Sequence, residues 1–543
     1  MTQVSAELSY ANGPAAKPLI GQTIDANLRA AVARFAEREA LVDVASDRRF
    51  TYAELDGAVD RLARGLLGRG IAKGDRVGIW APNCVEWFLA QYATARIGAI
   101  LVNINPAYRT HEVEYVLRQA SIGTLISAVS FKTSDYRAMI DEVAPKLEAL
   151  AGVVYIGEQS WDDLLAAGES VSREDVDARS GMLAFDDPIN IQYTSGTTGF
   201  PKGATLSHHN ILNNGFFVGE GMGYTEQDRI CVPVPFYHCF GMVMGNLAST
   251  SHGACIVIPA PGFDPAATLH AVQRERCTSL YGVPTMFIAE LALPDFATYD
   301  LSSLRTGCMA GSPCPVEVMK RVITEMNMED VTIAYGMTET SPVSTQTRKD
   351  DSLDRRTATV GRVHPYLEVM VVDPETGLMV ERGQPGELCT RGYSVMIGYW
   401  DEPEKTAEVL VNGWMHTGDL AVMDSEGYLS IVGRIKDMVI RGGENVYPRE
   451  IEEFLYTHPD IVDAQVIGVP DERYGEELMA WVRLRDGADE LTAEALREFC
   501  SGKLAHYKIP RYVHRVDEFP MTVTGKVRKV QMREDSVRLL HLA

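Results

Sequence analysis

Hydrophobic and polar positions between residues 50 and 130 switch repeatedly between helical spacing and the continuous apolar runs of buried strands. A Thr51-x-x-Glu54 pattern, typical of a capping box, precedes apolar residues that recur at helical spacing from Leu55 to Leu66. The segments that follow are predicted as strand RVGIWAP, helix NCVEWFLAQYATARIG, strand AILVNIN, helix HEVEYVLRQAS and strand GTLISAV. Such alternation is typical of crossover connections between parallel strands, so the main body is predicted to be α/β.

Composition and charge narrow the class of protein. The chain has 543 residues, of which 46% are apolar and 23% charged, which is enough for several folding units and unlike a disordered chain. The net charge of −23, from 51 Lys and Arg against 74 Asp and Glu, opposes binding to nucleic acid and to anionic membranes. An anionic ligand therefore needs a locally positive pocket.

The cysteines and the apolar segments indicate the cellular compartment in which the protein is expected. The nine cysteines are scattered and never spaced C-x-x-C, so reduced thiols are expected and neither a zinc cluster nor a disulfide framework is predicted. The first residues lack the basic and apolar regions of an export signal, and the apolar run FLAQYATARIGAILVNI is interrupted by Gln91 and Arg96. The sequence therefore predicts no membrane span and a cytoplasmic protein.

The stretch YTSGTTGFPKG at 193–203 is the richest in candidate chemistry. Its glycines let backbone N–H groups converge on phosphate oxygens, its hydroxyls add donors, and Lys202 adds a positive charge. We predict a polyphosphate-binding loop between a strand and a helix. The residues assigned to it are Thr194, Ser195, Gly196, Thr197, Thr198, Gly199 and Lys202. Pro201 before Lys202 and Gly203 after it depart from the GxxxxGK[ST] pattern of kinases and ATPases.

With its flanks, this loop reads YTSGTTGFPKGATLSHHN and resembles the phosphate-binding signature of the adenylate-forming superfamily, which contains acyl-CoA synthetases, luciferases and peptide-synthetase adenylation domains. Further segments resemble family motifs in the family's order: PFYHCFGM (235–242), AYGMTETSP (334–342), GELCTRGYSVMIGYW (386–400), GWMHTGDL (413–420), GYLSIVGRIKDMVIRGGENVYPREIE (427–452) and PMTVTGK (520–526). The resemblance covers nearly the whole chain after residue 20.

The AYGMTE segment carries three roles by resemblance. Tyr335 resembles the residue that stacks on adenine, Thr338 the hydroxyl that donates to the α-phosphate, and Glu339 the carboxylate that positions Mg²⁺. This hard cation keeps water and phosphate oxygens in its shell, so one protein carboxylate is enough. Gly311 and Gly336 complete the predicted nucleotide-binding set. Without the flanking motifs, Tyr-Gly and Thr-Glu would be read as an ordinary turn and a helix cap.

Asp419, Arg434 and His238 are assigned by the same resemblance. Asp419 resembles the carboxylate that accepts hydrogen bonds from both ribose hydroxyls, and Arg434 would support it. His238 resembles the residue beside the acyl carboxylate, and its role stays open: it orients the carboxylate, gates the thiol tunnel, or does both. The structural alternatives are a turn aspartate, a solvated arginine and a core histidine.

Four residues toward the C-terminus are assigned by the same resemblance. Lys526 resembles the lysine that bridges the substrate carboxylate and the α-phosphate during adenylation. Lys436 matches the hinge position between two domains, where many relatives have Asp. Gly442 and Gly443 resemble a loop that lets pantetheine approach the adenylate, with a plain β-turn as the alternative.

The resemblance implies a two-domain fold. A large N-terminal domain over 20–432 would contain two parallel-type sheets with helices and a β-barrel lobe. A hinge at 433–437 would join it to a small α+β domain over 438–543. We expect the C-terminal domain to be mobile.

The implied activity is that of an acid-thiol ligase, which uses ATP and Mg²⁺ to form an acyl-adenylate from a carboxylic acid and then a thioester with coenzyme A. NINPAYRTHEVEYVL and GMVMGNLAST resemble medium-chain fatty-acyl-CoA synthetases, and the lack of an Asp near PFYHCFG disfavours an amino-acid substrate. The alternatives are an aryl- or thioalkanoate-CoA ligase and a fatty-acyl-AMP ligase that loads a carrier protein. A non-catalytic nucleotide-binding protein is disfavoured because Glu339 and Lys526 are both present.

The acyl site and the partners are further predictions. Gly241, Gly245 and Ala248 lie at near-helical spacing and predict a groove for an alkyl chain of about six to twelve carbons, with close helix packing as the alternative. The P-x-x-x-x-G-K pattern ending at Lys526 resembles acetylation sites of acyl-CoA synthetases, which predicts a lysine acetyltransferase as a partner. The oligomeric state is left open, with a homodimer as one option.

Overall fold

The predicted alternation after residue 50 is confirmed in the computed structural model, which describes residues 7–194, 201–522 and 527–542. It contains the helices α2 (Tyr52–Gly68), α3 (Val85–Ile97) and α4 (Thr110–Gln119), and the strands β4 (Arg76–Trp80), β5 (Ile100–Asn103) and β6 (Thr124–Ser127). At the start of α2, Glu54 N–H donates to Thr51 Oγ1 at 3.2 Å and Thr51 N–H to Glu54 Oε2 at 2.8 Å. This capping box satisfies the donors that a helix start leaves unpaired.

These strands belong to the first of two large sheets. Its other members are β9 (Gly152–Tyr155), β10 (Pro188–Thr194), β11 (Lys202–Ser207) and β21 (Gly398–Tyr399), in the spatial order β21-β11-β10-β5-β4-β6-β9. From β10 to β9 neighbouring strands are parallel, as predicted, whereas β11 and β21 add antiparallel pairs at one edge. The helices α5 (Tyr136–Val143), α6 (Gln159–Ala167), α7 (Arg173–Ser180) and α8 (His208–Met222) and the ribbon β7 (Ser130–Phe131) with β8 (Ser134–Asp135) complete this part.

The second large sheet has nine strands. They are β2 (Glu39–Asp43), β3 (Arg48–Thr51), β12 (Arg229–Cys231), β13 (Cys255–Ile258), β14 (Ser279–Gly282), β15 (Thr306–Ala310), β16 (Asp330–Gly336), β17 (Val343–Gln346) and β18 (Arg362–Val363), in the order β18-β17-β16-β15-β14-β12-β13-β2-β3. Its helices are α1 (Ile24–Phe35), α9 (Ala248–His252), α10 (Pro265–Glu275), α11 (Pro284–Leu291), α12 (Val316–Glu325) and α13 (Leu353–Ala358).

Two smaller sheets follow. An antiparallel sheet of six strands contains β1 (Tyr10–Asn12), β19 (Leu367–Val372), β20 (Pro385–Gly392), β22 (Leu410–Val411), β23 (Trp414–Met423) and β24 (Leu429–Arg434), with α14 (Pro403–Val409). The C-terminal sheet contains β25 (Val439–Arg441), β26 (Glu444–Val446), β27 (Ile461–Asp471), β28 (Gly475–Leu484) and β29 (Tyr512–Arg515), with α15 (Pro448–Leu455), α16 (Ala493–Cys500) and α17 (Lys529–Leu539). A single 3-10 turn, Ile435–Asp437, separates β24 from β25 and lies in the predicted hinge.

The apolar helix α3 accommodates the polar residues Gln91 and Arg96 because each of them has a hydrogen-bond partner in the core. Arg96 is fully buried, with Nε 2.6 Å from Asp25 Oδ1 and Nη2 2.5 Å from Asp56 Oδ1. Gln91 donates to the carbonyl of Met242 at 3.2 Å. Buried charges and amides are tolerated when paired in this way. Across the described residues, no helix is both long and apolar enough to cross a membrane.

The phosphate-loop prediction is corrected in one respect. We predict this loop between a strand and a helix, but the structure places it between two antiparallel strands, β10 and β11, with Thr194 opposite Lys202. The helix α8 begins only at His208, because the segment from Lys202 to Ser207 continues as a strand that also pairs with β21. A helix N-terminus therefore does not follow the loop directly, and Lys202 lies on a strand.

The predicted acyl groove at Gly241 and Gly245 is wrong. The segment Phe240–Leu247 is a π-helix, and the space beside both glycines is filled. A Cβ on Gly241 would lie 2.5 Å from the carbonyl oxygen of Pro235, and one on Gly245 would lie 3.0 Å from Val232 Cγ1. These glycines therefore allow close packing, which was the alternative explanation of their spacing.

Candidate active site

The predicted nucleotide residues begin at the carboxyl edge of the nine-stranded sheet. The parallel strands β15 and β16 end side by side at Ala310 and Gly336, so Gly311 and Tyr335 lie at the same edge. Gly311 has φ +88°, in the left-handed region that favours glycine. A Cβ at Gly336 would lie 1.8 Å from the carbonyl oxygen of Pro342. Both predicted glycines are therefore required by the backbone at this edge.

Asp419 joins Tyr335 and Arg434 in one cluster. The Tyr335 hydroxyl donates to Asp419 Oδ2 at 2.8 Å, and Arg434 Nε donates to Oδ1 at 3.0 Å. Asp419 on β23 lies opposite Arg434 on β24, so the sheet register fixes the ion pair. A carboxylate can accept about four hydrogen bonds, so this one can still accept two more. Three residues that the sequence assigned to the nucleoside are thus brought together.

The backbone before Asp419 is held by a second carboxylate, which the sequence analysis missed. Glu387 Oε1 accepts from Gly418 N–H at 3.0 Å, and Glu387 Oε2 lies 2.8 Å from His416 Nδ1. Cys389 Sγ lies 3.5 Å from the same nitrogen. In the part of the chain that the structure describes, Glu387, Cys389 and His416 are also the group whose ligand atoms are close enough to hold a metal ion. Their observed hydrogen bonds already account for the arrangement.

Glu339 is buried at 5% exposure in a 3-10 turn, Thr338–Thr340, that follows β16. The Tyr399 hydroxyl donates to Glu339 Oε1 at 2.8 Å, and Thr194 Oγ1 lies 3.4 Å from the same oxygen. Among the described residues, Glu339 forms no ion pair. Lys202 Nζ lies 4.9 Å from the centroid of the Tyr399 ring. Two residues assigned to the phosphate loop, Thr194 and Lys202, therefore lie near the predicted metal carboxylate, Lys202 by way of the Tyr399 ring.

His238 and Thr338 are linked by Cys239. The Cys239 sulfur lies 3.8 Å from His238 Nδ1 and 3.8 Å from Thr338 Oγ1. His238 Nδ1 also accepts the N–H of Phe240 at 3.1 Å. In the neutral imidazole the proton is then on Nε2, which is a donor. The predicted carboxylate-side histidine and α-phosphate hydroxyl thus flank one buried thiol.

The remaining predicted residues lie toward the C-terminus or outside the described chain. Gly442 and Gly443 form the two-residue turn between β25 and β26 with φ +62° and +88°, the type I′ geometry typical of tight hairpins. Gly442 N–H donates to the Tyr474 carbonyl at 2.8 Å, and Lys436 lies in the 3-10 turn before β25. Lys526 and the loop residues 195–199 lie outside the described residues, so their predicted roles stay predictions.

Comparison with known proteins places this arrangement in a family. The protein-family model described as "AMP-binding enzyme" matches residues 28–400. The model described as "AMP-binding enzyme C-terminal domain" matches residues 450–526. This chain belongs to the AMP-binding enzyme family. The predicted membership of the adenylate-forming superfamily is confirmed.

Relatives of this AMP-binding enzyme match it over nearly its whole length. It is 49% identical to "Putative acyl-CoA synthetase YngI" of Bacillus subtilis (strain 168), over 97% of this chain and 99% of the relative. It is 46% identical to "Medium-chain acyl-CoA ligase ACSF2, mitochondrial" of Danio rerio, over 98% and 91% of the two chains. A solved anthranilate CoA ligase, AuaEII in complex with anthranoyl-AMP, superposes with a TM-score of 0.87 at 27% identity, covering 97% of this chain and 99% of that chain. The predicted fold class is confirmed.

Tyr399 is the other residue of this AMP-binding enzyme that the sequence analysis did not select. It lies in GELCTRGYSVMIGYW, which the analysis did quote as a family motif. A tyrosine beside a glycine in an apolar segment is consistent with an ordinary core strand, and nothing in the local pattern indicates a carboxylate partner 60 residues away. The signal that could have identified it is the motif itself.

Proposed function

We propose that this protein is an acyl-CoA synthetase that activates a medium-chain fatty acid with ATP as an acyl-adenylate and then forms the coenzyme A thioester. The observation that carries the proposal is the pair of carboxylates at the site. Arg434 compensates the charge of Asp419, so Asp419 can accept hydrogen bonds from ligand hydroxyl groups. Glu339 contacts only the hydroxyls of Tyr399 and Thr194 among the described side chains, so its charge is available to bind a cation. An adenylating enzyme needs both, one for ribose and one for magnesium.

In the first half-reaction the acyl carboxylate attacks the α-phosphorus and pyrophosphate leaves. Charge accumulates on phosphate oxygens, so catalysis depends on positioning and on positive groups. Thr194 and Lys202 lie where the strands β10 and β11 enter the phosphate loop and would bind the departing phosphates. Thr338 would donate to the α-phosphate and Lys526 would bridge it to the carboxylate. Bound Mg²⁺, held through Glu339, supplies further positive charge on the phosphate oxygens.

The open role of His238 is narrowed by its hydrogen bond. Because Nδ1 accepts the Phe240 N–H, the neutral ring presents Nε2–H as a donor. A donor beside the acyl carboxylate would orient it toward the α-phosphorus. We therefore propose that His238 orients the carboxylate, whether or not it also gates the thiol tunnel.

The second half-reaction requires coenzyme A to reach the same acyl carbon. We propose that the domain over 438–543 rotates about a hinge at 433–437, which contains Lys436, relative to the domain over 20–432. Two reactions with different attacking groups can share one site when a domain moves between them. The Gly442–Gly443 turn, free of side chains, would then line the pantetheine path.

The charge of Lys526 also makes it a candidate for regulation. Acetylation would neutralise the group that bridges the two substrates in the first half-reaction. A lysine acetyltransferase is therefore the protein partner we propose. Enzyme acetylated at Lys526, identified by mass spectrometry, should lose pyrophosphate release, and full retention of activity would contradict this role.

A screen of carboxylic acids tests the proposed function. Pyrophosphate release should rise along the alkyl series by about fourfold per carbon, because each buried methylene contributes about 0.8 kcal/mol, and should peak at medium chain length. Coenzyme A should be consumed and the thioester should accumulate. A peak at benzoate or anthranilate would favour an aryl-CoA ligase, and adenylate that is not transferred to free coenzyme A would favour delivery to a carrier protein.

A further inference from the structure

Tyr399 lies where the two large sheets approach each other. It is on the short strand β21, which pairs with β11 so that Tyr399 is opposite Ala204, two residues after Lys202. The backbone N–H of its neighbour Trp400 donates to the Gly203 carbonyl at 2.7 Å, and the backbone N–H of Tyr399 donates to Thr406 Oγ1 at 2.9 Å. The backbone of Tyr399 is thus fixed to the strand that carries the lysine of the phosphate loop.

The side chain of Tyr399 contacts two charged groups in different ways. Its hydroxyl donates to Glu339 Oε1 at 2.8 Å, and its ring face lies 4.9 Å from Lys202 Nζ. An ammonium over an aromatic face is attracted by the ring quadrupole. In the described part of the chain, no ion pair joins Lys202 directly to Glu339. The Tyr399 side chain therefore contacts two opposite charges, the ammonium through its ring face and the carboxylate through its hydroxyl.

We propose that Tyr399 is a positioning residue for adenylation, which fixes the metal-binding carboxylate through its hydroxyl and the phosphate-loop lysine through its ring. This inference rests on the proposed function, since it assumes that Glu339 binds the cation and Lys202 the phosphates. A direct Lys202–Glu339 ion pair would neutralise both groups before MgATP arrives. Holding each on Tyr399 keeps both charges available.

The hydrogen bond also selects which oxygen of Glu339 can bind the metal. Tyr399 and Thr194 both contact Oε1, so a cation bound through Oε2 does not compete with them. A tyrosine hydroxyl is protonated at neutral pH and is therefore a donor to the carboxylate. The donor fixes the orientation of the carboxylate before the metal binds, which is the requirement for a preorganised site.

The chain offers a matched control for this residue. Tyr428 is exposed to 7%, as is Tyr399, and its hydroxyl donates to the buried carboxylate Asp351 at 2.5 Å. Asp351 also accepts from Arg362 Nη2 at 3.2 Å, so its charge is already compensated. Neither Tyr428 nor Asp351 belongs to the predicted site. Tyr428→Phe therefore removes the same kind of buried hydrogen bond without touching Glu339.

The experiment compares wild type, Tyr399→Phe, Tyr399→Leu and Tyr428→Phe as full-length proteins. The first readout is the Mg²⁺ concentration that gives half of the thermal stabilisation produced by ATP, and the second is pyrophosphate release with a series of fatty acids. Tyr399→Phe should raise the Mg²⁺ midpoint about three- to tenfold, since a hydrogen bond to a charged group is lost. Tyr399→Leu, which also removes the ring beneath Lys202, should in addition weaken ATP binding.

The outcomes separate this inference from the proposed function. A Tyr399→Phe protein with the wild-type Mg²⁺ midpoint, or an equal shift in Tyr428→Phe, would overturn the role of Tyr399. Wild-type protein that binds MgATP but releases no pyrophosphate with any acid would instead contradict the proposed function. A lowered unfolding temperature shared by both Phe variants, with the Mg²⁺ midpoint raised only in Tyr399→Phe, would support positioning over a purely structural role.

Discussion

Two carboxylates of the site, Glu339 and Asp419, each accept a tyrosine hydroxyl at 2.8 Å, but their other contacts differ. Asp419 also accepts from the guanidinium of Arg434, whereas the second contact of Glu339 is the neutral hydroxyl of Thr194. Both side chains are largely buried. A tyrosine hydroxyl therefore orients each carboxylate, and within the described ranges only Asp419 has a cationic side chain as a partner.

The difference indicates what each group can bind. A buried carboxylate with an arginine partner keeps lone pairs for neutral donors at little electrostatic cost. A buried carboxylate whose described partners are hydroxyls still carries a charge that a divalent cation would compensate. The predicted division between ribose at Asp419 and Mg²⁺ at Glu339 follows from these surroundings.

The largest effect should come from Glu339→Gln. The amide keeps an oxygen acceptor for Tyr399 but removes the charge that holds Mg²⁺, so pyrophosphate release should fall by about a hundredfold or more. Glu368→Gln is the matched control, because Glu368 also accepts a tyrosine hydroxyl, from Tyr10 at 2.7 Å, outside the predicted site. Comparable activity of both variants in a pyrophosphate assay would contradict the metal-binding role.

Asp419→Asn should mainly weaken nucleotide binding. Replacing charged acceptors by neutral ones should raise KM for ATP about ten- to a hundredfold, with the Mg²⁺ midpoint unchanged. Asp351→Asn is the control, since Asp351 likewise accepts from a tyrosine and an arginine. Steady-state kinetics at several Mg²⁺ concentrations would check this, and a shifted Mg²⁺ midpoint in Asp419→Asn would remove the distinction between the two carboxylates.

Tyr335→Phe should have a smaller effect of the same kind. The ring that we expect to stack on adenine is kept and a single hydrogen bond to Asp419 is lost, so KM for ATP should rise about five- to tenfold. The Mg²⁺ midpoint should stay at its wild-type value, in contrast to Tyr399→Phe. Equal changes in the Mg²⁺ midpoint for Tyr335→Phe and Tyr399→Phe would show that the pairs Tyr335–Asp419 and Tyr399–Glu339 are equivalent, and would contradict the difference between the two carboxylates.

The smallest effect should come from Arg434→Gln. The Arg434 side chain is 61% exposed, so its ion pair with Asp419 is screened by water and should contribute about 0.2–1 kcal/mol. We therefore expect KM for ATP to rise no more than about fivefold, and less at high salt. Arg362→Gln, beside Asp351, should leave KM unchanged. A loss as large as that of Asp419→Asn would mean that Arg434 itself contacts the nucleotide.

Much of the fold could be predicted because periodicity and capping are local. The helix after Thr51 and its alternating neighbours depend on residues a few positions apart, and the structure has them. The helix expected directly after the phosphate loop is preceded by the strand β11, because this segment pairs along its length with β10 and at two residues with β21. The spacing of the glycines after His238 does not show that the residues just before them fold back onto them, and in the structure Pro235 and Val232 fill the space beside Gly241 and Gly245.

The candidate site was likewise predicted only in part from the sequence. The motifs identified Tyr335, Glu339 and Asp419, and the structure brings Tyr335 into contact with Asp419 and Thr194 to within 3.4 Å of Glu339. Tyr399 and Glu387 were missed because their hydrogen bonds join distant segments. A motif indicates which residues matter together, whereas the hydrogen bond that orients a side chain requires the folded structure.

The most direct measurement compares the affinities of ATP and 2′,3′-dideoxy-ATP for wild type, Asp419→Asn and Glu339→Gln, by thermal stabilisation in the presence of Mg²⁺. A site that hydrogen-bonds hydroxyls rejects a ligand that lacks them. Wild type and Glu339→Gln should both bind ATP at least about tenfold more tightly than the dideoxy analogue, and Asp419→Asn should bind the two almost equally. Full discrimination in Asp419→Asn, or its loss in Glu339→Gln, would contradict the assignment of one carboxylate to ribose and the other to the metal.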